Sequence, residues 1–550
     1  MPRWISNFLF WCIFKLLLLK HVNKFLSNNQ NKQGMDFIES FFDYLNFSYL
    51  LSDKDYQRIP SEGRLIIVAN HPLGALDGLA LIKSIHRVRQ DVKVVVNDVL
   101  MKVANISEFL IPFDVFAETL NKESFVRMRN ALQNEEVIIF FPAAEVSRLS
   151  PKGVKDGCWK KGAVQLALKY NVPILPVFIK GKNSRLFYWI SFFFKNMSTL
   201  LLPREMFHKR NKNIQIKIGD PIPVHVLKSS CLGIDELTKL LKKHVYRLSR
   251  NRTSLFKTEK NIVHPTSKKQ LKAELSRAEL LGETNDGKRI YLVNYAQAKN
   301  TIREIGRLRE LTFRKVGEGT GHQLDTDEFD KYYKHIVLWD EDDLEIVGAY
   351  RIGYCSEILA NKYSLYTEEL FDFSPAFRKL LPDSIELGRS FIQYRYWKGN
   401  ALDYLWRGIG LFLKRHPEIK YMFGAVSISD NYSTDAKNLI IQFYRKWYSY
   451  PETLAEGKKP YVITRKQEDE VNVILNEDSR DEDYRHLRSS LKNLGYAIPI
   501  LFKQYVRLCD HGGIHILDFN IDEDFSNTVD GLVLLNMKYL SQKACQRYLE

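Results

Sequence analysis

The sequence is poor in cysteine, and its few cysteines show no spacing that carries chemistry. It has six in 550 residues, at positions 12, 158, 231, 355, 509 and 545, and none of them form a Cys-x-x-Cys pair. Scattered cysteines argue against a disulfide framework and against a structural zinc site. We therefore predict a protein of a reducing compartment that holds no metal.

Apolar runs long enough to cross a membrane are also missing. Residues 4–19 are apolar, but Lys15 interrupts them and no small-residue cleavage site follows. The run is shorter than the roughly 20 residues of a spanning helix, so we predict a helix in the membrane interface, or alternatively one docked on the first domain. The stretch from Leu186 to Leu202 contains Lys195 and is equally marginal. We interpret it as a shallow membrane-dipping segment or as one that lines an acyl chain.

Acidic residues are scarce in the first half of the chain. The formal net charge is +16, but residues 1–270 alone carry +20, of which +19 falls in residues 151–270. Such a region attracts anionic lipid headgroups, nucleic acid or an acidic carrier protein, and charge alone does not choose among them. Together with the apolar segments, it leads us to expect a peripheral protein at the cytoplasmic face of the inner membrane. We expect no nucleic-acid partner.

The chain has enough apolar material for more than one domain. Hydrophobic residues make up 45% of it and aromatic residues 13%, and 550 residues exceed what one core accommodates. A polar, basic stretch near residues 247–269 predicts a linker, and an acidic stretch near 466–488 predicts a surface excursion. We divide the chain into interface helices (1–59), a first domain (60–245), a linker (246–275) and a second domain (276–550).

Short β-branched runs alternate with helix-length segments in the first domain. The runs lie at residues 64–70, 92–96, 137–141 and 172–179, and a helix is expected over residues 162–170. This alternation is typical of an α/β domain with a largely parallel sheet. We predict that the first of these strands ends in a turn that carries His71.

That turn, Asn70 to Gly78, reads NHPLGALDG and places His71 six positions before Asp77. A His held by a carboxylate can take the proton from an acceptor hydroxyl while the hydroxyl attacks a thioester. The alternative is a structural turn in which Asp77 caps a helix and His71 is merely packed. The nine residues alone do not decide between the two.

Three further motifs follow in order, IPFDVF (111–116), FPAAEVSR (141–148) and VPILPVFIKG (172–181). With NHPLGALDG they resemble the glycerolipid acyltransferases, in the hemolysin-like and ornithine-lipid-synthesising branch, over residues 60–225. The resemblance implies that His71 is the general base and Asp77 its orienting partner. It also implies no cofactor beyond a co-substrate, an acyl thioester on acyl carrier protein or coenzyme A. The basic region favours the acidic carrier protein.

Two features depart from the common pattern of that family. Five residues separate His71 from Asp77 where four are usual, and the carboxylate of the family's Phe-Pro-Glu-Gly motif comes here at Glu145. Ser147 and Arg148 follow it. We predict that Glu145, Ser147 and Arg148 contact the acceptor or a phosphate, the alternative for the last two being helix capping.

The second domain opens with charge clusters, which are usually solvated. The basic residues of a predicted helix are Arg303, Arg307, Arg309 and Arg314, and the acidic residues after a Gly-rich turn are Asp325, Asp327 and Asp330. Two predicted strands come next. The strand at 345–354 carries Arg351, and the strand at 385–392 (IELGRSFI) carries Glu386 and Arg389.

This order resembles the acyl-homoserine-lactone synthases and the related amino-acid N-acyltransferases, over about residues 285–450 and again at 518–535. The resemblance implies the acetyltransferase (GNAT) fold, a thioester donor and an amine acceptor. Because an amine must lose a proton to attack, Glu386 is the candidate base, directly or through water. Arg309, Arg351 and Arg389 are candidate binding residues, the last two for an acceptor carboxylate. The alternative is a structural ion pair between Glu386 and Arg389.

The two α/β domains together predict a bifunctional acyltransferase that makes an acylated aminolipid. The resemblance to the bifunctional ornithine-lipid synthases implies that the second domain attaches a 3-hydroxyacyl group to the amine of ornithine or glycine. The first domain then esterifies the hydroxyl of this lyso-lipid. Two alternatives remain: a phospholipid acyltransferase acting on lysophosphatidate with an accessory second domain, and a non-catalytic, membrane-binding, hemolysin-like protein.

Overall fold

The computed structural model describes residues 18–97, 100–101, 103–113, 122–150 and 153–549. The chain divides into two compact units, residues 1–264 and 265–550. Within the described ranges, no helix is both long enough and apolar enough to cross a bilayer. Residues 4–17 of the predicted interface segment lie outside the described residues, as does the end of the IPFDVF motif.

The first unit is built on a seven-stranded sheet. Its strands are β1 Ser48–Leu50, β2 Leu65–Ala69, β3 Val92–Val96, β4 Leu110–Pro112, β5 Val137–Phe140, β8 Ile174–Lys180 and β9 Asn213–Ile218, and a separate hairpin is formed by β6 Arg148–Ser150 and β7 Gly153–Lys155. The order is β1-β9-β8-β2-β5-β3-β4, and only β8 and β9 pair antiparallel. The prediction of a largely parallel α/β domain is therefore confirmed.

Helices cover both faces of this sheet. Their bounds are Leu19–Asn28, Gly34–Leu45, Asp53–Tyr56, Ala75–His86, Lys122–Gln133, Gly162–Tyr170, Arg185–Phe193, Lys195–Leu200, Leu202–Phe207, Val224–Ser229 and Ile234–Leu248, with a 3₁₀ helix at Ala104–Phe109. All five residues of β2 are buried, alternating between two apolar clusters, as expected of a parallel strand covered on both sides. The helix Gly34–Leu45, which falls in the predicted interface segment 1–59, also contributes to this core.

The second unit contains an eight-stranded sheet of order β10-β11-β12-β13-β15-β16-β19-β18 and a small pair, β14 with β17. The strands are β10 Glu279–Glu283, β11 Arg289–Asn294, β12 Lys334–Asp340, β13 Glu345–Tyr354, β14 Phe371–Phe373, β15 Ser384–Ile392, β16 Tyr421–Ile428, β17 Ala455–Gly457, β18 Ile514–Asp522 and β19 Thr528–Asn536. All neighbours in the large sheet are antiparallel except β15 and β16. The two strands predicted at residues 345–354 and 385–392 are present as β13 and β15.

The helices of the second unit include the predicted basic helix. Their bounds are Lys268–Leu275, Lys299–Val316, Cys355–Ala360, Pro375–Arg378, Ala401–Arg415, Thr434–Tyr448, Arg465–Ile474, Arg480–Asn493, Ile500–Val506 and Gln542–Ala544, with short 3₁₀ or π turns at Phe329–Lys331, Tyr366–Glu369, Leu381–Asp383, Tyr394–Tyr396, Met537–Tyr539 and Cys545–Leu549. The predicted acidic excursion is instead a pair of helices. Val471, Leu487 and Leu491 on them are buried in the main core of the unit.

The large sheet forks between β15 and β16. These strands pair over only three residues, ending at Glu386 opposite Phe423. Beyond that point β15 continues along β13 and β16 along β19. Arg389 has a φ of 48°, and the register between β13 and β15 shifts beside it, which defines a β-bulge. The fork therefore presents two sheet edges to a gap in the middle of the sheet.

Candidate active sites

His71 lies at the carboxyl end of β2, where open α/β sheets commonly bind ligands. The preceding Asn70 anchors this end, because its Nδ2 donates to Ile179 O (2.9 Å) and its Oδ1 accepts from Ile179 N (2.7 Å) on β8. One side of the His71 ring packs on Phe141, with ring centroids 4.3 Å apart. The His71 side chain is 18% exposed, so a substrate can reach it.

Asp77 caps a helix and also lies beside His71. It is the third residue of the helix Ala75–His86, and its Oδ2 accepts from the backbone N–H of Leu73 (2.8 Å) and Gly74 (3.1 Å). The same oxygen lies 3.1 Å from His71 Nδ1. Burial raises the pKa of the Asp77 carboxyl, while His71 and the two backbone N–H groups oppose the rise. The helix cap thus holds the carboxylate where it orients the His71 ring.

Asp156 is a further residue of this site, which the sequence analysis missed. It accepts from the backbone N–H of His71 (3.2 Å), from the Ser147 hydroxyl (2.5 Å) and from Trp159 Nε1 (2.9 Å). A signal was present, since Asp156 is the only acidic residue between Glu145 and Glu205. Through these bonds a buried carboxylate ties the end of β2 to the loop that follows β5.

The three predicted acceptor contacts differ in accessibility. Ser147 is 1% exposed. Its hydroxyl donates to Asp156 and its backbone N–H donates to His71 O at 2.7 Å, so Ser147 holds the backbone at His71 in place. The side chains of Glu145 and Arg148 are more exposed, and Arg148 Nε lies 3.3 Å from Glu145 Oε2. Only these two remain candidates for direct contact with an acceptor.

We expect Asp156→Asn to lower the turnover of the His71 site by about 10- to 100-fold, because small displacements of catalytic groups cost that much. The Asp156 carboxylate accepts from three donors with its two oxygens, whereas an asparagine side chain has only one acceptor oxygen. Turnover number and KM for the acceptor should be measured together with melting temperature. Asp235→Asn, an exposed acid on the same unit, is the control. A rise in KM without a loss of turnover would mean that Asp156 contacts the acceptor rather than positioning His71.

The charged residues at the start of the second unit form a buried network. Arg309 donates to Asp330 with both Nη atoms at 3.0 Å, and Arg351 Nη1 donates to Asp327 at 2.6 Å and to Asp330 at 3.3 Å. Both arginines are 1% exposed, so the expectation of a solvated cluster is wrong here. Burial alone would raise the pKa of Asp330, but Arg309, His335 and Arg351 hold it well below its usual range. Arg309 and Arg351 are therefore engaged by the protein itself, which suits a structural role better than acceptor binding.

Asp330→Asn is expected to destabilise the chain by about 3–5 kcal/mol, since it takes the carboxylate partner from the buried Arg309 and leaves the buried Arg351 with Asp327 alone. The free energy of unfolding, from chemical denaturation, would measure this. Asp383→Asn serves as the matched control, because Asp383 pairs with Lys420 and their side chains are 43% and 65% exposed. An exposed pair of this kind contributes about 0–1 kcal/mol. Equal effects of the two substitutions would contradict the structural role of the network.

Glu386 lies where β15 and β16 part and is buried. Its Oε1 accepts from the Thr367 backbone N–H at 2.8 Å, and its Oε2 accepts from the Tyr333 hydroxyl. Burial raises the pKa of Glu386, and the Tyr333 and Thr367 donors oppose the rise. A carboxylate with a raised pKa is a better general base near neutral pH.

Arg389 occupies the bulge and has its own partners. Arg389 Nη1 lies 3.5 Å from Asp325 Oδ1. The guanidinium carbon lies 5.1 Å from the ring centroid of Tyr366 and 4.7 Å from that of Phe525. Arg389 does not contact Glu386, so a structural ion pair between these two residues is excluded. The Tyr366–Glu369 turn contacts both residues and places them at one end of the fork.

Two more carboxyls near the fork have shifted pKa values. Burial, helped by repulsion from Asp530, raises the pKa of Glu318 to about 8. Asp530 lies on β19 opposite Ser427 of β16, and burial raises its pKa to about 6. No sequence motif marked Glu318, while Asp530 was visible as a lone charge in an apolar strand.

The chain matches two family models. An Acyltransferase model matches residues 2–254, and an Acetyltransferase (GNAT) domain model matches residues 308–407. The Glycine N(alpha)-acyltransferase of Bacteroides thetaiotaomicron is 36% identical over 262 residues, which are 45% of this chain and 77% of that protein. The Lyso-glycine lipid O-acyltransferase of the same species is 30% identical over 229 residues, covering 40% and 83%. The L-ornithine N(alpha)-acyltransferase of Rhodobacter capsulatus is 29% identical over 272 residues, covering 47% and 94%.

The two α/β units, with a His–Asp pair in one and a forked sheet beside a buried Glu in the other, define an acyltransferase with two different domains. The chain belongs to the bacterial acyltransferase family of these relatives, and it combines an N-terminal acyltransferase domain with a C-terminal GNAT domain. The predicted domain types and the prediction of an acyltransferase are confirmed. The non-catalytic alternative is set aside.

Proposed function

We propose that this chain makes a diacylated aminolipid in two steps. The second unit transfers a 3-hydroxyacyl group from a thioester to the amine of a small amino acid, and the first unit esterifies the new hydroxyl. The observation that carries the proposal is the presence in one chain of two different acyltransferase domains, an N-terminal Acyltransferase domain and a C-terminal GNAT domain. Relatives named for the amide-forming and the ester-forming activity support it. Glycine is the favoured amino acid, because the relative named for glycine is 36% identical and the one named for ornithine 29%.

In the ester-forming step, Nε2 of His71 takes the proton from the acceptor hydroxyl as its oxygen attacks the thioester carbonyl carbon. The carbon–sulfur bond then breaks, and the thiol leaves with a proton returned by the imidazolium. Asp77 stabilises the transient positive charge, since its buried carboxylate lies 3.1 Å from Nδ1. Glu145 and Arg148 are the residues placed to hold the polar head of the acceptor.

In the amide-forming step, the amine must be neutral before it attacks. Glu386 is buried, so a water at the fork carries the proton to it. The neutral nitrogen then attacks the thioester carbonyl carbon, the carbon–sulfur bond breaks, and the thiol leaves with the proton that the attacking nitrogen releases. The gap between β15 and β16 gives the arm of the thioester a place to enter, and its two strand edges offer backbone groups to bind it. Arg389 lies at the same place, where its charge can draw an acceptor carboxylate despite its contact with Asp325.

The acyl donor is an acyl carrier protein and the place of action is the cytoplasmic face of the inner membrane, where the protein is peripheral. The +19 of residues 151–270 supports both assignments, because a basic surface attracts an acidic carrier and anionic headgroups. High salt should weaken binding to either partner. No cofactor is needed, since the thioester supplies the activated acyl group.

Isotope labelling of lipids tests the proposal. The chain would be expressed in cells that lack aminolipids and are fed nitrogen-15 glycine or nitrogen-15 ornithine, and the lipid extract analysed by mass spectrometry. We expect a phosphorus-free lipid with two acyl groups that carries the label from glycine. A new phospholipid without nitrogen label would instead support the lysophosphatidate acyltransferase alternative. Label from ornithine alone would correct the amino acid but keep the two-step scheme.

A further inference from the structure

The helix Arg185–Phe193 and the segment after it present an apolar face to solvent. On the inner side Phe187 and Tyr188 pack against Val146 and Leu201. The apolar face consists of Leu186, Trp189, Phe192, Phe193, Phe194 and Leu200, which are 40–77% exposed. It includes every exposed Phe in the described part of the chain. Because these side chains point outward, the interpretation of this segment as the lining of an acyl chain is no longer supported.

The apolar face is fixed to the loops around His71. Asn183, just before the helix, donates from Nδ2 to the carbonyl of Pro72, the residue after His71, at 3.0 Å. On the other side of the site, Arg148 donates to the hydroxyl of Ser198 at 2.7 Å. Any partner bound to this apolar face therefore lies beside the His71 site.

The stretch of chain that carries the apolar face is strongly basic. Residues 180–219 contain nine Lys and Arg and a single acid, Glu205. That acid is buried and accepts from the backbone N–H and the hydroxyl of Ser184, at 2.6 and 2.7 Å. Lys182, Arg185 and Arg210 of this stretch are exposed. Exposed aromatic side chains in a positively charged stretch match the interface of an anionic bilayer, apolar inside and negative at its surface.

We propose that the apolar face of residues 186–200 docks the first unit onto an anionic lipid bilayer and so presents the His71 site to acceptors held in the membrane. The inference deepens the proposed function, because a mono-acylated amide is an amphiphile that partitions into bilayers. A carrier protein would account for the basic residues of 180–219 but would leave the exposed aromatic side chains without a binding partner. Soluble monomers rarely expose a contiguous apolar surface of this kind without a binding role.

Cosedimentation of the full chain with vesicles tests the proposal. The vesicles are either pure phosphatidylcholine or a mixture of phosphatidylcholine and phosphatidylglycerol. We expect binding to the anionic vesicles, and a loss of at least 10-fold in the double variant Phe192→Ser, Phe193→Ser. The double variant Val462→Ser, Val473→Ser is the matched control, since these valines are equally exposed (74% and 75%) but lie in the second unit. It should bind as the wild type does.

Ester formation separates this inference from the proposed function. With a short-chain, water-soluble N-acylated amino acid the Phe192, Phe193 variant should react at the wild-type rate, and with a long-chain acceptor embedded in vesicles it should lose at least 10-fold. Absence of ester from the wild type with both acceptors would refute the proposed function while leaving the vesicle result valid. Unchanged vesicle binding of the variant would overturn the docking surface. So would a loss of self-association, or of carrier-protein binding, in place of vesicle binding.

Discussion

Replacing His71 with alanine is expected to abolish ester formation while the mono-acylated amide accumulates. The base is lost, and general-base catalysis contributes roughly 10²- to 10⁴-fold to the rate of such a step. Amide formation should continue, because Glu386 and the forked sheet belong to the other compact unit. The measurement is the ratio of mono-acylated to diacylated lipid in extracts and in a reaction with purified protein.

His225→Ala is the matched control for this experiment, since His225 is an exposed histidine of the same unit. It should leave both products unchanged. Far-ultraviolet circular dichroism and the melting temperature show whether the His71 variant is folded. An equal loss of amide and ester in a folded His71→Ala protein would contradict the division of labour between the two domains.

The part of the fold that could be predicted from the sequence is the part set by local patterns. The β2 run is apolar throughout because both of its faces are covered, and the Gly-containing turn after it needs the backbone freedom of Gly74, whose φ is 83°. The His71–Asp77 pair was found because both residues lie within one turn and one helix start. The spacing of residues along the chain determines such short-range geometry.

Contacts between distant segments could not be predicted in this way. Asp156 reaches His71 from 85 residues away, and no spacing rule connects them. The buried network of Arg309, Asp330 and Arg351 reads as a solvated cluster in the sequence, since burial depends on packing by the rest of the unit. The helix Arg480–Asn493 was missed for a related reason, because Leu487 and Leu491 give it only a narrow apolar stripe in a highly charged segment.

The second large effect is expected at the other site. Glu386→Gln should lower amide formation by roughly 10²-fold or more, because glutamine keeps the shape of the side chain but cannot accept a proton. The reduced rate should also lose the part of its pH dependence that comes from the ionisation of residue 386. In the wild type the base must be ionised, and burial raises its pKa. The wild-type rate should therefore fall as the pH drops through a value above the usual range of a glutamate, and the variant should lack this limb.

Supplying a pre-formed N-acylated amino acid completes the argument. The Glu386→Gln protein should convert it to the diacylated lipid at the wild-type rate, because His71 and Asp77 are intact. Glu357→Gln, an exposed glutamate of the same unit that pairs with Lys334, should change neither step. If the Glu386 variant also fails with the supplied intermediate, the two domains depend on each other for catalysis and the two-step scheme is wrong. If it forms amide at the wild-type rate with an unchanged pH profile, the base is another carboxyl near the fork, and Glu318 would be the first to test, since its pKa of about 8 lies close to the working range.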